Sequence, residues 1–314
     1  MDPKKKLSFV EVSLLSASAN LVAKTAAAPV ERVKLLWQNH GEIIRAGRLK
    51  HPYRDVKECV TRTFKYEGVR SFWRGNLAGC IKYYPSHATY FIFKDKFKHS
   101  TWFKRNKNDG KLVDLAKHTF PGGMAGVTAS SATYSLDYCR TRLANDILVV
   151  SKEGITRRQF KNIRDVYIKT LKSDGIRGLH RGLCVSCLRE FLSRGCYFGV
   201  FDFLKPILLP SNPKFSYTFS LGYVVTVFAY VVSYPLDTLA RRMMMTSGEA
   251  VKYRNSMDCA RQIAMNEGYG AFMKGGATNV LTAFTGAIGL ICFDKFRSAY
   301  INWRLNPDEA SICN

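Results

Sequence analysis

A charged motif recurs at three corresponding places in this chain of 314 residues, with an acid in all three and a base three residues later in two of them. The segment 29–34 (PVERVK) returns at 135–140 (SLDYCR) and again at 235–240 (PLDTLA). Side chains three residues apart share one face of a helix, so an acid and a base at this spacing can form ion pairs or attract a charged solute. Isolated pairs of this kind also occur on solvated helix surfaces. The threefold recurrence favours a functional role.

Three further landmarks follow each of these segments in the same order. An acid–glycine pair comes first, a base–glycine pair second, and an acid three residues before a base closes the unit. They are Glu67-Gly68, Asp174-Gly175 and Glu267-Gly268, then Arg74-Gly75, Arg181-Gly182 and Lys274-Gly275, then Asp95/Lys98, Asp202/Lys205 and Asp294/Arg297. Four landmarks repeated in one order indicate an internal repeat. We divide the chain into repeats at 1–110, 111–210 and 211–314, which together form one domain.

Long runs with few charges separate these landmarks. Residues 215–236, 275–293 and 119–136 contain no charged side chain over 22, 19 and 18 positions, and the runs 7–30, 75–93 and 182–201 contain three or fewer. About 18 such residues suffice for a helix to cross a bilayer. A buried soluble core is the alternative, but six runs exceed what one core needs. The sequence therefore predicts an all-α membrane protein with six transmembrane helices, two per repeat, around a central cavity.

The polar segment between the two spans of each repeat has the pattern of a short amphipathic helix. In the first repeat, apolar residues recur at helical spacing between Val56 and Phe64, and Gly68 provides a stop. We expect these helices near 54–66, 161–173 and 254–266.

Proline marks the corresponding end of two odd-numbered spans. Pro29 and Pro235 lack a backbone N–H, so we expect a kink or a helix end at each. Ser135 stands at the third corresponding position, where we expect a weaker kink.

Composition and motifs exclude several classes of function. The 48 basic and 24 acidic side chains give a net charge of +24, but the bases lie between the apolar runs and no nucleic-acid module is present. Membrane lipid and anionic solutes are therefore the expected partners, and nucleic acid is not. Cys184 and Cys187 have the spacing of half a zinc site, but no second pair accompanies them, so no metal is predicted. No catalytic motif is present, and we predict no enzyme and no catalytic residue.

The threefold pattern P-x-(D/E)-x-x-(K/R), (D/E)-G and aromatic-(K/R)-G resembles the signature of the mitochondrial carrier family over nearly the whole chain. Within that family, the segments 28–36 (APVERVKLL), 72–77 (FWRGNL), 93–98 (FKDKFK) and 241–245 (RRMMM) are most similar to the branch of ADP/ATP carriers. The resemblance implies a multi-pass protein of the mitochondrial inner membrane that works by alternating access. No cleavable presequence is apparent at the N-terminus, so any import signal is expected to be internal.

The resemblance also implies two gates made of ion pairs. The expected matrix gate comprises Glu31, Lys34, Gln38, Asp137, Arg140 and Asp237, with the pairs Glu31–Arg140 and Asp237–Lys34 and with Gln38 as a brace. Asp137 is expected to lack its partner, because the third corresponding base is replaced by Ala240. The expected cytoplasmic gate comprises the pairs Asp95–Lys205, Asp202–Arg297 and Asp294–Lys98.

The expected substrate site lies between the gates. By the resemblance it contains Lys24, Lys82, Arg189, Glu190, Arg194 and Asn279. Cations at membrane depth suit a phosphate group, although a lysine can instead extend to the membrane surface. The Arg189–Glu190 pair, Ser193 and Thr282 depart from the ADP/ATP carriers, which have an apolar wall, a tyrosine and an arginine at these places. We therefore expect only weak ADP exchange.

Bound cardiolipin is the one non-protein component that the sequence predicts. The base–glycine pairs begin the even-numbered spans, where free backbone amides and the helix dipole favour a lipid phosphate. The expected residues are Arg74, Gly75, Arg181, Gly182, Lys274 and Gly275.

Three functions remain open from the sequence. The first is antiport of adenine nucleotides or a related anionic solute. The second is transport of a smaller or zwitterionic metabolite, since an arginine–acid pair at the contact position resembles amino-acid carriers. The third is a degenerate carrier without ADP/ATP exchange, kept as a structural accessory subunit of a larger inner-membrane (respiratory) complex. Fold alone does not decide among them.

Overall fold

The computed structural model describes residues 8–100, 110–150, 156–208, 210, 215–250 and 252–305. Its helices are, in chain order, α1 (Phe9–Arg45), α2 (Val56–Glu67), α3 (Asn76–His99), α4 (Lys111–Ala132), α5 (Tyr134–Ala144), α6 (Ile163–Leu179), α7 (Leu183–Leu208), α8 (Phe215–Met245), α9 (Ser256–Glu267) and α10 (Gly276–Leu305). Two-residue strands β1 (Val149–Val150) and β2 (Thr156–Arg157) pair antiparallel. The expected all-helical architecture with three helix pairs is confirmed.

Six long helical segments form a closed ring. Each packs against the next in the order α1, α3, α4 with α5, α7, α8 and α10, and α10 packs back against α1. Within the described residues, one helix, Ser216–Met245, is both long and apolar enough to cross a membrane by composition. α1, α3, α4 and α7 carry charged or hydroxylic residues that line the inside of the ring, such as Glu31, Lys82, Ser130 and Arg189, and such residues lower a helix's mean hydropathy.

Neither of the two prolines ends its helix. α1 continues past Pro29 to Arg45, and α8 continues past Pro235 to Met245. The third span, which has Ser135 in place of proline, is instead the one that breaks, at Thr133 between α4 and α5. The Thr133 hydroxyl donates to the carbonyl of Ala129 at 2.8 Å, and such a bond to the preceding turn bends a helix. The expectation of a weaker kink there was wrong.

Three short helices, α2, α6 and α9, lie at one end of the ring, close to the predicted positions. Each begins with a reciprocal cap: Asp55, Asn162 and Asn255 accept from the backbone N–H three residues later, and the acid at that later position accepts from the residue before the cap. Such caps satisfy the free amides of a helix start. The largest buried clusters lie under these helices and include Cys59, Val166 and Cys259.

Glycine at the base–glycine pairs permits close packing between repeats. Gly75 has a φ of +85°, and a Cβ added to it would lie 2.9 Å from the carbonyl oxygen of Arg140. Gly182 has a φ of +89°, and its added Cβ would lie 2.9 Å from the carbonyl oxygen of Ala240. The helices α3 and α7 therefore each begin against the carboxyl end of the charged motif in the next repeat, which holds that motif in place.

Candidate functional site

Both expected ion pairs of the matrix gate are present. Arg140 on α5 donates to the carboxylate of Glu31 on α1. Lys34 on α1 lies with its Nζ 3.6 Å from Oδ2 of Asp237 on α8. The Gln38 amide donates to the same Asp237 oxygen at 3.2 Å and to the Thr238 hydroxyl at 3.0 Å, as expected for a brace. These contacts join the three repeats at the end that carries the short helices.

The third carboxylate of the matrix gate has a partner that the sequence comparison did not predict. Asp137 is 5% exposed, and its Oδ1 lies 3.1 Å from Nζ of Lys82 on α3. Ala240, which replaces the expected base, is buried in an apolar cluster with Leu239 and Met243. The expectation of an unpaired Asp137 was wrong, because Lys82 on the neighbouring helix α3 reaches it.

Arg189 also belongs to the matrix gate in this structure. Its Nε lies 3.5 Å from Oδ1 of Asp237, and its Nη2 donates to Glu190 at 2.6 Å. Arg241 donates to Asp237 at 3.0 Å and to the hydroxyl of Thr141 on α5 at 2.9 Å. Asp237 therefore lies among three basic side chains. Lys82 and Arg189, which the resemblance assigned to the substrate site, are both paired with gate carboxylates.

We call the opposite end of the ring the open end, because the described side chains of the expected cytoplasmic gate are exposed there. Asp95 on α3 and Lys205 on α7 are both exposed. Asp294 and Arg297 on α10 are exposed as well. The side chains of their expected partners, Lys98 and Asp202, lie outside the described residues. The described charges are therefore paired at the end that carries the short helices and exposed at the opposite end.

Two predicted substrate residues lie over aromatic rings of α3. Lys24 on α1 is half-buried, with its Nζ 5.1 Å from the ring centre of Tyr83. The guanidinium of Arg194 lies 4.8 Å from the ring centre of Tyr90, within the range of a cation–π interaction. The side chain of Asn279 lies outside the described residues.

Two cavities lie side by side within the ring. The first, of about 170 Å³, is formed by α1, α5, α7 and α8 beside the matrix gate, and the second, of about 230 Å³, lies between α3, α4 and α7. The charged residues that line them are the bases Lys34, Lys82, Arg140, Arg189, Arg194 and Arg241 and the acids Glu31, Glu190 and Asp237. Since bases outnumber acids, the interior favours an anion.

The bases of the base–glycine pairs bind neighbouring loops. Arg74 forms an ion pair with Asp146 at 2.6 Å, and Arg181 donates to the Thr246 hydroxyl at 3.1 Å. Lys274 lies 3.1 Å from a carboxylate oxygen of Glu267. Cardiolipin binding therefore stays a prediction, and it rests on the backbone amides at these helix starts.

The acid–glycine pairs have a role that the sequence did not assign. Glu67 accepts from Arg32 at 2.7 Å and from Arg158 at 3.0 Å, and its side chain is 4% exposed. Burial alone would raise the pKa of Glu267, but hydrogen bonds from Arg242 outweigh burial and lower that pKa to about 2. These acids fasten the short helices to the ring. In the sequence, only the threefold repetition of the acid–glycine pair indicated that these acids have a role.

Comparison with known proteins follows the same threefold division. A family described as "Mitochondrial carrier protein" matches residues 5–105, 112–212 and 211–303. The chain is 49% identical over 291 residues to "ADP,ATP carrier protein, mitochondrial" of Solanum tuberosum, covering 92% of this chain and 75% of the relative. It is 48% identical to "ADP,ATP carrier protein" of Schizosaccharomyces pombe, covering 94% and 91%. For "ADP,ATP carrier protein" of Chlamydomonas reinhardtii the values are 45% identity and coverage of 98% and 99%.

The family match includes each of the three repeats, and its segments contain the charged motifs that meet in the matrix gate. Six long helices in a ring, with a short helix between the members of each pair, complete the likeness. The chain belongs to the mitochondrial carrier family.

Proposed function

We propose that this protein exchanges adenine nucleotides, or closely related phosphate-bearing anions, across the mitochondrial inner membrane by alternating access. The observation that carries the proposal is the excess of basic over acidic side chains lining the two inner cavities. Lys24 adds a further base over the Tyr83 ring of α3. Relatives named ADP,ATP carrier, at 45–49% identity over most of their lengths, support the choice of anion.

The replacement of the missing base at position 240 by Lys82 favours transport over a purely structural role. An accessory subunit has no need for a gate that closes, and the loss of a base at position 240 would leave a buried carboxylate unpaired. Here Lys82 pairs with Asp137, and Arg189 adds a further base beside Asp237. All three gate carboxylates are thus paired, as a working gate requires.

The pairing of Arg189 with Glu190 bears on the zwitterion hypothesis. Arg189 and Glu190 form an ion pair with each other at 2.6 Å. Neither charge is therefore left to bind the ammonium or the carboxylate of an amino acid. The bases that remain near the open end suit a more highly charged anion.

The deciding experiment measures uptake of labelled ADP into liposomes that contain the purified protein and unlabelled internal ADP. We expect saturable exchange, and we expect Lys24→Met with Arg194→Leu to reduce it at least tenfold. Lys57→Met with Lys65→Met on the exposed surface of α2 is the matched control, because it also removes two positive charges but away from the cavity. Absence of exchange by the unaltered protein would contradict the proposal. Co-migration with a larger complex after mild detergent extraction would then favour the accessory role.

A further inference from the structure

The cavity between α3, α4 and α7 has one aromatic wall. His87, Tyr90 and Phe91 of α3 line it. Tyr83 continues the same row, with its ring centre 4.2 Å from that of His87. His87 is exposed, so a ligand can reach its ring.

The facing wall is made of small side chains. Gly126, Ala129 and Ser130 of α4 line the cavity opposite the rings. A Cβ added to Gly126 would lie 3.4 Å from Cγ of Arg194 and 3.8 Å from Oε2 of Glu190. Any larger side chain at this position would therefore extend into the cavity. An aromatic wall opposite a wall of small residues leaves a slot that suits a flat group.

Polar groups lie at the edges of this slot. Arg194 lies over the Tyr90 ring at 4.8 Å, which places a cation where a phosphate chain could meet it. Glu190 lines the same cavity; its Oε1 accepts from Arg189, and its second oxygen, Oε2, can accept an N–H from a ring substituent. The volume of about 230 Å³ is below the 300–1,000 Å³ typical of whole-ligand sites. The slot thus holds one ring system, with the charged part of the ligand outside it.

We propose that this slot binds the purine ring of the transported nucleotide, stacked on the rings of α3. This inference rests on the proposed function and specifies where the base lies. Position 193 carries serine, and Arg189 is turned to the gate carboxylate of Asp237, so α7 offers no apolar wall. The rings on α3 supply the flat surface that the sequence comparison found missing on α7. Base–aromatic stacking tolerates substitution of one ring by another but depends on a ring being present.

The test compares binding of ADP and of inorganic pyrophosphate by nucleotide-dependent thermal shift, using the purified full-length protein. Pyrophosphate carries the charge of ADP without the base. We expect Tyr90→Leu to weaken ADP binding about tenfold, the size typical of one lost stacking contact, and to leave pyrophosphate binding unchanged. Tyr90→Phe retains the ring and should bind ADP as the unaltered protein does. Tyr84→Leu, which removes an exposed tyrosine outside the cavity, is a second control.

A variant on the facing wall tests the same slot independently of the rings. Gly126→Leu should fill the slot and reduce ADP binding at least tenfold, with a smaller loss of pyrophosphate binding because the added side chain also meets Arg194. If Tyr90→Leu and Gly126→Leu bind ADP as tightly as the unaltered protein, the base lies elsewhere and the inference is wrong, although nucleotide exchange would stand. If the unaltered protein binds neither ADP nor pyrophosphate, the proposed function itself fails.

Discussion

Removal of the Lys82 ammonium should destabilise the conformation in which the matrix gate is closed. Lys82 lies 3.1 Å from Asp137, and the side chains of the pair are 22% and 8% exposed. Lys82→Met would leave the Asp137 carboxylate buried without its nearest partner. Breaking a buried pair in this way costs about 3–5 kcal/mol. The partial exposure of Lys82 points to the lower end, about 3 kcal/mol.

A thermal unfolding assay on the purified protein can measure this effect. For large domains 1 kcal/mol shifts Tm by about 2–4 °C, so we expect Lys82→Met to lower Tm by about 6–12 °C in the absence of substrate. Exchanging the charges, with Lys82→Asp and Asp137→Lys together, should recover much of the loss that each single change causes. Such a double-mutant cycle isolates the interaction between the two side chains.

The result that would refute this reasoning is additivity. If the charge exchange lowers Tm by the sum of the two single losses, the side chains do not interact and Lys82 does not support the gate. A loss of ADP binding by Lys82→Met with no change in substrate-free Tm would instead assign Lys82 to the substrate alone, as the family resemblance implies.

Three further predictions concern the matrix end. Cardiolipin added to delipidated protein should raise Tm, since its phosphates can meet the free amides at Gly75 and the corresponding glycines, and an unchanged Tm would contradict the lipid site. Glu67→Gln should lower the free energy of unfolding by about 3–5 kcal/mol in chemical unfolding, because the Glu67 side chain is 4% exposed and pairs with two arginines. Asp174→Asn should lower it by only about 1 kcal/mol, because Lys252, the partner of Asp174, is 36% exposed. The lowered pKa of Glu267, about 2, makes its stabilising contribution complete above pH 4.5 and progressively lost as pH falls toward 2. Acid unfolding should therefore be steeper between these pH values for the unaltered protein than for Glu267→Gln, and equal slopes would refute the assignment.

The repeated landmarks were sufficient to predict the architecture. Helix pairs, short capped helices and the pairs Glu31–Arg140 and Lys34–Asp237 depend on local spacing and on threefold equivalence, and both are visible in one sequence. The positive φ of the glycine in each base–glycine pair likewise follows from a repeated local requirement.

Tertiary structure alone decided which charges pair when the equivalence is broken. The sequence places Lys82 in a different span from Asp137, and only the packing of α3 against α5 brings their charges within 3.1 Å. The orientation of Arg189 toward Asp237 depends in the same way on where α7 meets α8. The bend at Thr133 could not be predicted from the sequence either. It accompanies a hydrogen bond from the Thr133 hydroxyl to the carbonyl of Ala129, and only the structure shows that this bond forms. A sequence fixes which charges are available, whereas distance and burial determine which of them meet.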